Sequence, residues 1–358
     1  MSTFDDPILK LESAEVRQRV DPSGFHQLLE RLPQQSRDAW AMGLAADLGD
    51  TPPHPARVLL AGVGGSAIGA DVAATLATDL SSTPVQVIRN YHLPPLTPDT
   101  LVILCSFSGN TEETLSAFDE VVAAGARGIA ITTGGILKER AGAAKMPVLT
   151  YEWPGPPRTG LGYSVFNLLA ILRRLEVIEI SDEEIEGGFA ALDRATTAYG
   201  LDSDANRAKM IAAWLHGGVP AIIGADMLEV AARRWAGEMS ENAKQVAAAY
   251  GIPEFNHNQL EAAARAGAEV GPLRFVLLDA PVVTPRNRLR VTQTAEMMLA
   301  AGRQVQIANA GGATPIEAIL GACSLGSWTS YYLGLLRDHD PAPLTVMDRL
   351  KRVLAQER

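Results

Sequence analysis

The stretch LCSFSGNTEETL, residues 104–115, decides the fold because it joins two kinds of structure within a few residues. An apolar run ends at Cys105, and three hydroxyl side chains, Ser106, Ser108 and Thr111, follow it. Acidic residues then begin a helical pattern. A buried strand that passes through a polar turn into a helix is typical of a parallel α/β sheet. Ligands of such sheets bind at the carboxyl ends of the strands, where this turn is expected.

The same alternation of strands and helices continues along both halves of the chain. Short apolar runs separated by helical patterns predict parallel sheets that are covered on both faces. We therefore expect an α/β fold of two α/β/α sandwich domains with a C-terminal helical tail. The predicted strands are residues 56–62, 84–90, 100–106, 127–133, 147–151, 219–225, 274–280 and 303–310. The predicted helices of the first half are residues 67–80, 111–125 and 163–175, and residues 179–189 are predicted to be a surface passage.

The domain boundaries follow from length and from breaks in the pattern. A chain of 358 residues fits about two domains on the scale of roughly 150 residues each. The proline-rich stretch PGPPR, residues 154–158, interrupts the first half. The predicted segments are an N-terminal helical segment (1–50), a first domain that binds phosphate (51–190), a second domain (191–335) and a tail helix (336–358).

The composition excludes several classes of protein. A content of 47% hydrophobic and 20% charged residues is ordinary for a globular chain. The net charge of −10 repels polyanions, so we expect no nucleic-acid partner, although a small anion remains a suitable ligand. No apolar run approaches the roughly 18 residues of a membrane span. The N-terminus MSTFDDPILKLESAEV lacks the pattern of a secretion signal, so we expect a cytoplasmic protein.

The two cysteines, Cys105 and Cys323, are far apart in the sequence and show no metal-ligand spacing. Cys105 lies inside an apolar run, which predicts a buried free thiol. We therefore predict neither a disulfide framework nor a metal site.

Two turns between a strand and a helix are predicted to bind phosphate. The first, GVGGSAIGA at residues 62–70, contains Gly65 and Ser66, and the second is the opening stretch. In the second turn, Asn110 and Glu113 have the spacing of an N-cap residue and an N3 residue. The amides of a first helical turn and the helix dipole bind anions without a lysine. For this turn alone, the alternative is an ordinary helix cap with scattered serines.

The first turn also approximates a dinucleotide fingerprint, with glycines at 62 and 64 and Ala67 at the third position. Arg89, after the second predicted strand, would then be a phosphate partner. The acidic residue expected at that strand end is missing, which disfavours NAD. No lysine follows the glycines, which excludes a Walker A loop. We therefore predict no cofactor.

Five motifs in combination resemble a known family. GGSAIGADV and SFSGNTEETL resemble the sugar isomerase (SIS) domain, whose serine- and threonine-rich loop holds the phosphate of a sugar phosphate. With PRTGLGY, SENAK and PEFNHNQLEA, they resemble the bifunctional phosphoglucose/phosphomannose isomerase family, which has two SIS domains. The resemblance spans roughly residues 55–354. These motifs begin at residues 64, 106, 157, 240 and 253.

The resemblance implies an aldose–ketose isomerase. It would interconvert glucose 6-phosphate, and also mannose 6-phosphate, with fructose 6-phosphate through an enediolate, without a metal or cofactor. The phosphate of the hexose 6-phosphate would be bound by residues of the two turns, namely Gly65, Ser66, Ser106, Ser108 and Thr111.

Two residues of the second half match positions that the family uses in proton transfer. Glu241 is expected to be the base that moves a proton between C1 and C2, whereas an arbitrary Glu-x-x-Lys would be a surface pair with Lys244. His257, in a predicted polar loop after Pro253, is expected to serve ring opening, since imidazole exchanges protons near neutral pH. A lone histidine is more often structural. In the family this histidine comes from the neighbouring subunit, so the resemblance implies a homodimer that shares His257.

Two basic residues complete the expected site. Arg158 follows two prolines and would present a permanent cation to the enediolate, although an exposed loop arginine is the alternative. Lys351 matches a lysine near the C-terminus that the family uses in ring opening, although a basic residue in a last helix is common. Thr159 and Ala67 depart from the family pattern. These departures bear on turnover and sugar preference rather than on phosphate binding.

Three other functions fit parts of the pattern. A SIS protein that binds sugar phosphates and regulates without catalysis is the main alternative, and it would usually carry a helix-turn-helix. The N-terminal segment of about 50 residues is acidic, which disfavours that domain. An amidotransferase would need a glutaminase domain with an N-terminal cysteine, whereas this chain starts MSTF. A dehydrogenase would need a nicotinamide cofactor.

Overall fold

The computed structural model describes residues 6–356. The first five residues of the acidic N-terminus and the last two of the predicted tail lie outside the described residues. Contacts divide the chain into two compact units. The first-sheet unit comprises residues 30–194 and 312–320, and the second-sheet unit comprises residues 1–29, 195–311 and 321–358. The four segments expected from the sequence remain predictions.

Nine strands within residues 6–356 form two parallel sheets. In chain order they are β1 (Arg57–Ala61), β2 (Val85–Ile88), β3 (Thr100–Ser106), β4 (Arg127–Thr132), β5 (Val148–Thr150), β6 (Val219–Ala225), β7 (Ala248–Ile252), β8 (Leu273–Asp279) and β9 (Gln304–Asn309). The eight strands predicted from the sequence are confirmed, with ends that differ by at most two residues. The ninth strand, β7, was not predicted.

Sixteen α-helices lie within the same residues, together with a 3₁₀ turn at Pro157–Thr159. The helices up to the end of the first sheet are α1 (Pro7–Glu12), α2 (Ala14–Val20), α3 (Phe25–Glu30), α4 (Leu32–Ala45), α5 (Gly64–Leu80), α6 (Glu112–Ala123) and α7 (Gly135–Ala143). The others are α8 (Leu161–Arg174), α9 (Asp182–Tyr199), α10 (Arg207–Leu215), α11 (Leu228–Asn242), α12 (Glu254–Asn258), α13 (Leu260–Ala264), α14 (Pro285–Ala300), α15 (Pro315–Leu336) and α16 (Thr345–Gln356).

The first-sheet unit is organised around β3. Its five strands run in the order β2-β1-β3-β4-β5, and every residue of the central strand β3 is buried. Leu59, Val102 and Leu104 of the sheet pack with Phe118 and Val121 of α6 in one apolar cluster. A strand that is buried on both faces has apolar side chains at consecutive positions, which accounts for the continuous apolar run LVILC within β3. The expected α/β class is therefore confirmed.

The helix after β1 begins earlier than predicted. Val63 has extended backbone angles and lies at the N-cap, so α5 starts at Gly64 instead of at Ala67. Gly65 and Ser66 consequently belong to the first helical turn, where amide groups have no acceptor within the helix. The position of Ala67 is 2% exposed, and its small side chain fits the buried face of the helix.

The prediction that residues 179–189 are a surface passage was wrong. Helix α9 begins at Asp182, and Ile185 and Phe189 are only 1% and 3% exposed. Ser181 and Glu184 form a reciprocal cap in which the Glu184 N–H donates to Ser181 Oγ and the Ser181 N–H donates to the Glu184 carboxylate. This capping box starts a helix that buries one apolar stripe, despite the acidic residues on its other faces.

The second-sheet unit has four parallel strands in the order β7-β6-β8-β9. Helix α11 packs on β6 and β7, and its Trp235 Nε1–H donates to the carbonyl oxygen of Ala322 in α15 at 2.7 Å. Tyr331 and Tyr332 of α15 are fully buried, so this long helix forms much of the core of the unit. Of the helices in residues 6–356, none has the length and apolar character that crossing a membrane requires.

A buried ion pair within α11 is joined to α15 by a serine hydroxyl. Arg234 Nη2 lies 2.7 Å from Glu238 Oε1, and both side chains are 4% exposed. Ser327 Oγ donates to the same carboxylate, at 2.9 Å from Oε2. Removing one partner of a buried ion pair lowers the stability more than removing one partner of a surface pair, because the remaining charge is buried away from water.

We expect Glu238→Ala to lower the free energy of unfolding by about 3–5 kcal/mol, since it leaves the Arg234 guanidinium buried without this carboxylate. Urea unfolding followed by circular dichroism measures the change. The control is Arg233→Ala on the exposed face of the same helix, where Arg233 pairs with Glu229 at 3.3 Å. An exposed pair contributes about 1 kcal/mol or less, so equal losses in the two variants would contradict the prediction.

Candidate active site

The hydroxyl groups after β3 form a connected loop. Ser106 Oγ donates to Thr111 Oγ1 at 2.8 Å and accepts the Gly109 N–H at 3.1 Å. The Asn110 N–H donates to Ser108 Oγ at 3.2 Å. Ser106 is 2% exposed, whereas Ser108 and Asn110 are exposed. The loop therefore has a fixed inner hydroxyl and accessible outer groups at the start of α6.

The tight turn of this loop requires a glycine. Gly109 has a left-handed φ of +68°, which favours a residue without a Cβ atom. A Cβ atom at this position would lie 1.8 Å from the carbonyl oxygen of Gly134. The backbone of the loop thus packs directly against the turn after β4.

The predicted cap of α6 was assigned to the wrong residue. The N-cap is Thr111, and α6 begins at Glu112, so Glu113 is the second residue of the helix and not the third. Asn110 instead accepts the Ile136 N–H with its Oδ1 at 3.1 Å. The Asn110 side chain therefore joins this loop to the start of α7, a partner that local spacing does not reveal.

The first predicted phosphate turn lies against the second. The Phe107 N–H donates to Ser66 Oγ at 3.2 Å, which joins the start of α5 to the loop after β3. Because β1 and β3 are parallel neighbours with Ala61 opposite Leu104, their carboxyl ends meet at one edge of the sheet. The structure therefore brings Gly65, Ser66, Ser106, Ser108 and Thr111 into one region of the first-sheet unit, as the sequence predicts.

Arg89 has a different partner from the one considered in the dinucleotide interpretation. Its guanidinium forms an ion pair with Asp71 of α5. Asp71 is buried and neutralises this cation beside the first turn. The Arg89 guanidinium is thus already paired, and the hydroxyls and amides of the two turns are suited to bind an anion there.

The turn that contains Arg158 packs on the same region. A Cβ atom at Gly65 would lie 3.0–3.2 Å from atoms of Pro157, so Pro157 sits directly over the start of α5. Arg158 is 5% exposed, which contradicts the alternative of an exposed loop arginine. A buried, permanently charged guanidinium beside hydroxyl-rich loops is suited to stabilise negative charge on a bound molecule.

Thr159 holds this turn in place through its hydroxyl group. Trp153 Nε1–H donates to Thr159 Oγ1 at 2.9 Å, and the same hydroxyl donates to the carbonyl oxygen of Pro156 at 2.8 Å. The Thr159 carbonyl accepts the side-chain amide of Gln35 at 2.9 Å. The departure from the family pattern at this position therefore adds two hydrogen bonds to the turn.

Aromatic side chains that the sequence analysis did not single out support the same turn. Tyr151 stacks on Tyr163 at 4.6 Å between ring centroids, and Phe107 meets the edge of Tyr151 at 6.2 Å. Burial raises the pKa of the Tyr151 hydroxyl well above its usual range. The signal in the sequence is the three aromatic residues Tyr151, Trp153 and Tyr163, which flank a stretch rich in proline and glycine that taken alone is typical of a loop.

Cys105 is a buried thiol at the end of the central strand, as predicted. It is 5% exposed and is not in a disulfide, and burial raises the pKa of its thiol to about 12. Cys323 is also buried, and burial raises its pKa to about 12. A thiol that stays protonated is a poor nucleophile, so neither cysteine is suited to covalent catalysis.

The remaining predicted residues belong to the second-sheet unit. Glu241 is half-buried in the last turn of α11. Lys244 lies beyond the end of that helix with a left-handed φ of +50°, and its Nζ bonds to the carbonyl oxygen of Glu241 at 2.8 Å. The two residues are therefore not an i,i+3 pair along one helix, since α11 ends at Asn242.

His257 lies in a short helix instead of a polar loop. Helix α12 includes this exposed histidine, and its neighbours anchor the helix on both sides. Phe255 is 2% exposed and packs against Tyr250 with 5.4 Å between ring centroids. Asn256 Nδ2 donates to Thr294 Oγ1 of α14 at 2.7 Å. The backbone that carries His257 is thus fixed although its ring is accessible.

Lys351 is exposed on α16, like every other residue whose side chain is described in that helix. The first-sheet unit thus contains the five predicted phosphate ligands and Arg158, and the second-sheet unit contains Glu241, His257 and Lys351. The chemical roles of these residues remain predictions. Among residues 6–356, no three His, Cys, Asp or Glu side chains cluster in a way that could hold a metal ion.

Comparisons with known proteins match each half of the chain to a family model. Residues 54–143 match the SIS domain model, and residues 204–354 match the model of the bacterial phospho-glucose isomerase C-terminal SIS domain. A protein of Caldicellulosiruptor bescii named bifunctional phosphoglucose/phosphomannose isomerase is 34% identical over 91% of this chain and 97% of its own length. The chain belongs to the bifunctional phosphoglucose/phosphomannose isomerase family.

Other members and solved structures extend the same result. A bifunctional phosphoglucose/phosphomannose isomerase of Aquifex aeolicus is 29% identical over 83% of this chain and 90% of its own length. A hypothetical protein from Thermus thermophilus has a crystal structure that matches with a TM-score of 0.72 at 17% identity, covering 96% of this chain and 94% of that one. The expectation of two SIS-type domains is confirmed, and the protein is an enzyme of the isomerase class.

We expect the native form of this phosphoglucose/phosphomannose isomerase family member to resist thiol reagents at about pH 8. Both thiols are buried and have a pKa of about 12, so the reactive thiolate is scarce and shielded. Ellman's reagent added before and after denaturation measures this, and the denatured chain, with two titrated thiols, is the control. Rapid reaction of the native protein would contradict the assigned burial.

We expect Thr159→Val to lower the free energy of unfolding by about 1–3 kcal/mol, because it leaves the Trp153 indole N–H buried without an acceptor. Thr159→Ser is the matched control, since it retains the hydroxyl group. Thermal unfolding followed by tryptophan fluorescence compares the two variants. A serine variant as unstable as the valine variant would show that the hydrogen bonds of this turn contribute nothing.

Proposed function

We propose that this enzyme interconverts glucose 6-phosphate and mannose 6-phosphate with fructose 6-phosphate through an enediolate. The observation that carries the proposal is the pair of hydroxyl-lined turns at adjoining strand ends, joined by the bond from the Phe107 N–H to Ser66 Oγ. The names of the two relatives reported above support the choice of substrates.

The phosphate is proposed to bind at the two turns of the first-sheet unit. The amides at the start of α5 and α6 carry partial positive charge, and the hydroxyls of Ser66, Ser106, Ser108 and Thr111 are suited to donate to phosphate oxygens. The acidic net charge of the chain disfavours a broad basic surface, so recognition by local neutral donors is consistent with the composition. Binding through the phosphate leaves C1 and C2 of the sugar available for proton transfer.

Glu241 is proposed to be the base of the isomerisation. Its carboxylate takes the proton from C2 of the open-chain aldose, the electron pair of the C–H bond forms the C1–C2 double bond of the enediolate, and the π pair of the C1 carbonyl moves onto O1. Return of the proton to C1, with transfer of the O2 proton to O1 and formation of the C2 carbonyl, gives the ketose. The hydrogen count of the sugar is unchanged and its redox change is internal, so we propose that the reaction needs no cofactor. A positioned base contributes about 10²–10⁴-fold to such a step.

The other three predicted residues act around this step. Arg158 is proposed to stabilise the negative charge that develops on the enediolate, since its guanidinium is always charged and is buried. His257 and Lys351 are proposed to move the proton of the ring-opening step. The exposed position of the His257 ring is consistent with its contribution to the site of a second copy in a homodimer.

Glu241→Gln is expected to lower kcat for both aldoses by about 10²–10⁴-fold, because the amide cannot accept the C2 proton. Coupled assays of glucose 6-phosphate and mannose 6-phosphate formation from fructose 6-phosphate measure the rate, and calorimetry measures binding of the sugar phosphate. Glu261→Gln, at an exposed position of the short helix α13, is the matched control and should retain full activity.

Three outcomes separate the hypotheses. Activity on both sugars that is lost in Glu241→Gln, with binding retained, supports the proposed reaction and its base. Activity that survives in Glu241→Gln assigns the base to another residue. Tight binding without turnover in the wild type would identify a regulatory sugar-phosphate protein, and the proposal would be wrong.

A further inference from the structure

The C-terminal end of α11 is held by a lysine side chain. Lys244 follows the cap residue Ala243 and has a left-handed φ of +50°. Its Nζ donates to the carbonyl oxygen of Glu241 at 2.8 Å. An ammonium group at this end also faces the negative pole of the helix dipole, which favours a cation. Lys244 therefore fixes the helical turn from which the Glu241 side chain extends.

The same ammonium group bonds to the segment that leads into α16. Lys244 Nζ lies 2.6 Å from the carbonyl oxygen of Asp340 and 3.4 Å from that of Pro341. Pro341 is buried, and the Asp340 side chain accepts the Ala342 N–H at 2.9 Å, so this segment is an ordered turn. One side chain thus joins the end of α11 to the entrance of the tail helix.

The tail helix depends on this entrance for its position. The side chains described in α16 are all exposed, including the apolar Val346 and Leu350. A helix of 12 residues is marginal by propensity alone and takes its place in a fold from tertiary contacts. In the described residues, the direction of α16 is therefore set largely by residues 340–344, where Lys244 bonds.

We propose that Lys244 is a positioning residue that holds the tail helix, and with it Lys351, in a fixed relation to Glu241. The inference rests on the proposed function, in which Glu241 and Lys351 act on the same sugar. Lys244 acts through its bonds to backbone carbonyls and takes no part in proton transfer. Precise placement matters because a displacement of about 1 Å can cost about 10²-fold in rate.

Lys244→Gly is the decisive variant. It removes the ammonium group and with it the three hydrogen bonds to backbone carbonyls. Glycine adopts the left-handed φ of this position without strain, and this gain in backbone energy partly offsets the stability lost with those bonds. We expect kcat to fall about tenfold or more, with KM changed less than about twofold, because the proposed phosphate ligands lie in the other unit. Lys244→Arg retains a cation and should recover part of kcat.

Arg337→Met is the matched control. Arg337 Nε donates to the carbonyl oxygen of Ala243 at 3.1 Å, so it holds the same end of α11 without a bond to Asp340 or Pro341. A kcat that falls equally in Arg337→Met and Lys244→Gly would overturn the inference, because loosening the helix end would then suffice. Melting temperatures of the variants measure that loosening directly.

A double-mutant cycle with Lys351→Met completes the test. If Lys244 acts by placing Lys351, then Lys244→Gly has little further effect in the Lys351→Met background. Equal effects in both backgrounds, or an unchanged kcat in Lys244→Gly, would overturn the inference. Those results would leave the proposed function intact as long as the wild type is active and Glu241→Gln is not. An inactive wild type would instead refute the proposed function, and this inference with it.

Discussion

The parallel pairing of β1 with β3 is the constraint on which the proposed phosphate-binding region depends. Parallel neighbours end at the same edge of a sheet, so the turns that follow them must meet there. The two turns do meet, since the Phe107 N–H in the loop before α6 donates to Ser66 Oγ at the start of α5. A different strand order would separate the same residues and leave two unrelated polar turns.

The proposed phosphate site at this edge contains few charged side chains. Arg89 is neutralised by Asp71, and the inner hydroxyls of Ser106 and Thr111 bond to each other. Backbone amides at two helix starts and the buried guanidinium of Arg158 then supply the positive potential. Such a site is suited to a small anion, and the acidic character of the whole chain disfavours extended polyanions.

The sequence predicted the strands well because burial on both faces leaves a clear apolar run. It failed where structure depends on distant partners. Strand β7, with the sequence AAYGI, has three small residues among its five and no run of large apolar residues, so its pairing with β6 is what identifies it as a strand. Helix α9 was hidden by acidic residues, although the Ser181–Glu184 cap and the apolar pair Ile185 and Phe189 were present in the sequence.

The candidate site shows the same limit at finer scale. Local spacing placed a cap at Asn110, yet its side chain bonds to the start of α7, about 25 residues later in the chain. The resemblance identified Thr159 as a residue that differs from the family pattern, but only the structure shows that its hydroxyl accepts a hydrogen bond from the Trp153 indole N–H. Motifs identify which residues matter, whereas their partners come from strand order and packing that the motifs do not contain.

The contact between Gly109 and Gly134 also limits how this loop can change over evolutionary time. Every amino-acid replacement that a single base change can make at a glycine codon introduces a Cβ atom, and any such atom at 109 meets the Gly134 carbonyl oxygen. The left-handed φ of Gly109 adds a second, independent barrier. Any replacement of Gly109 is therefore expected to disturb both this loop and the turn that it contacts, unlike a replacement at an exposed helical position.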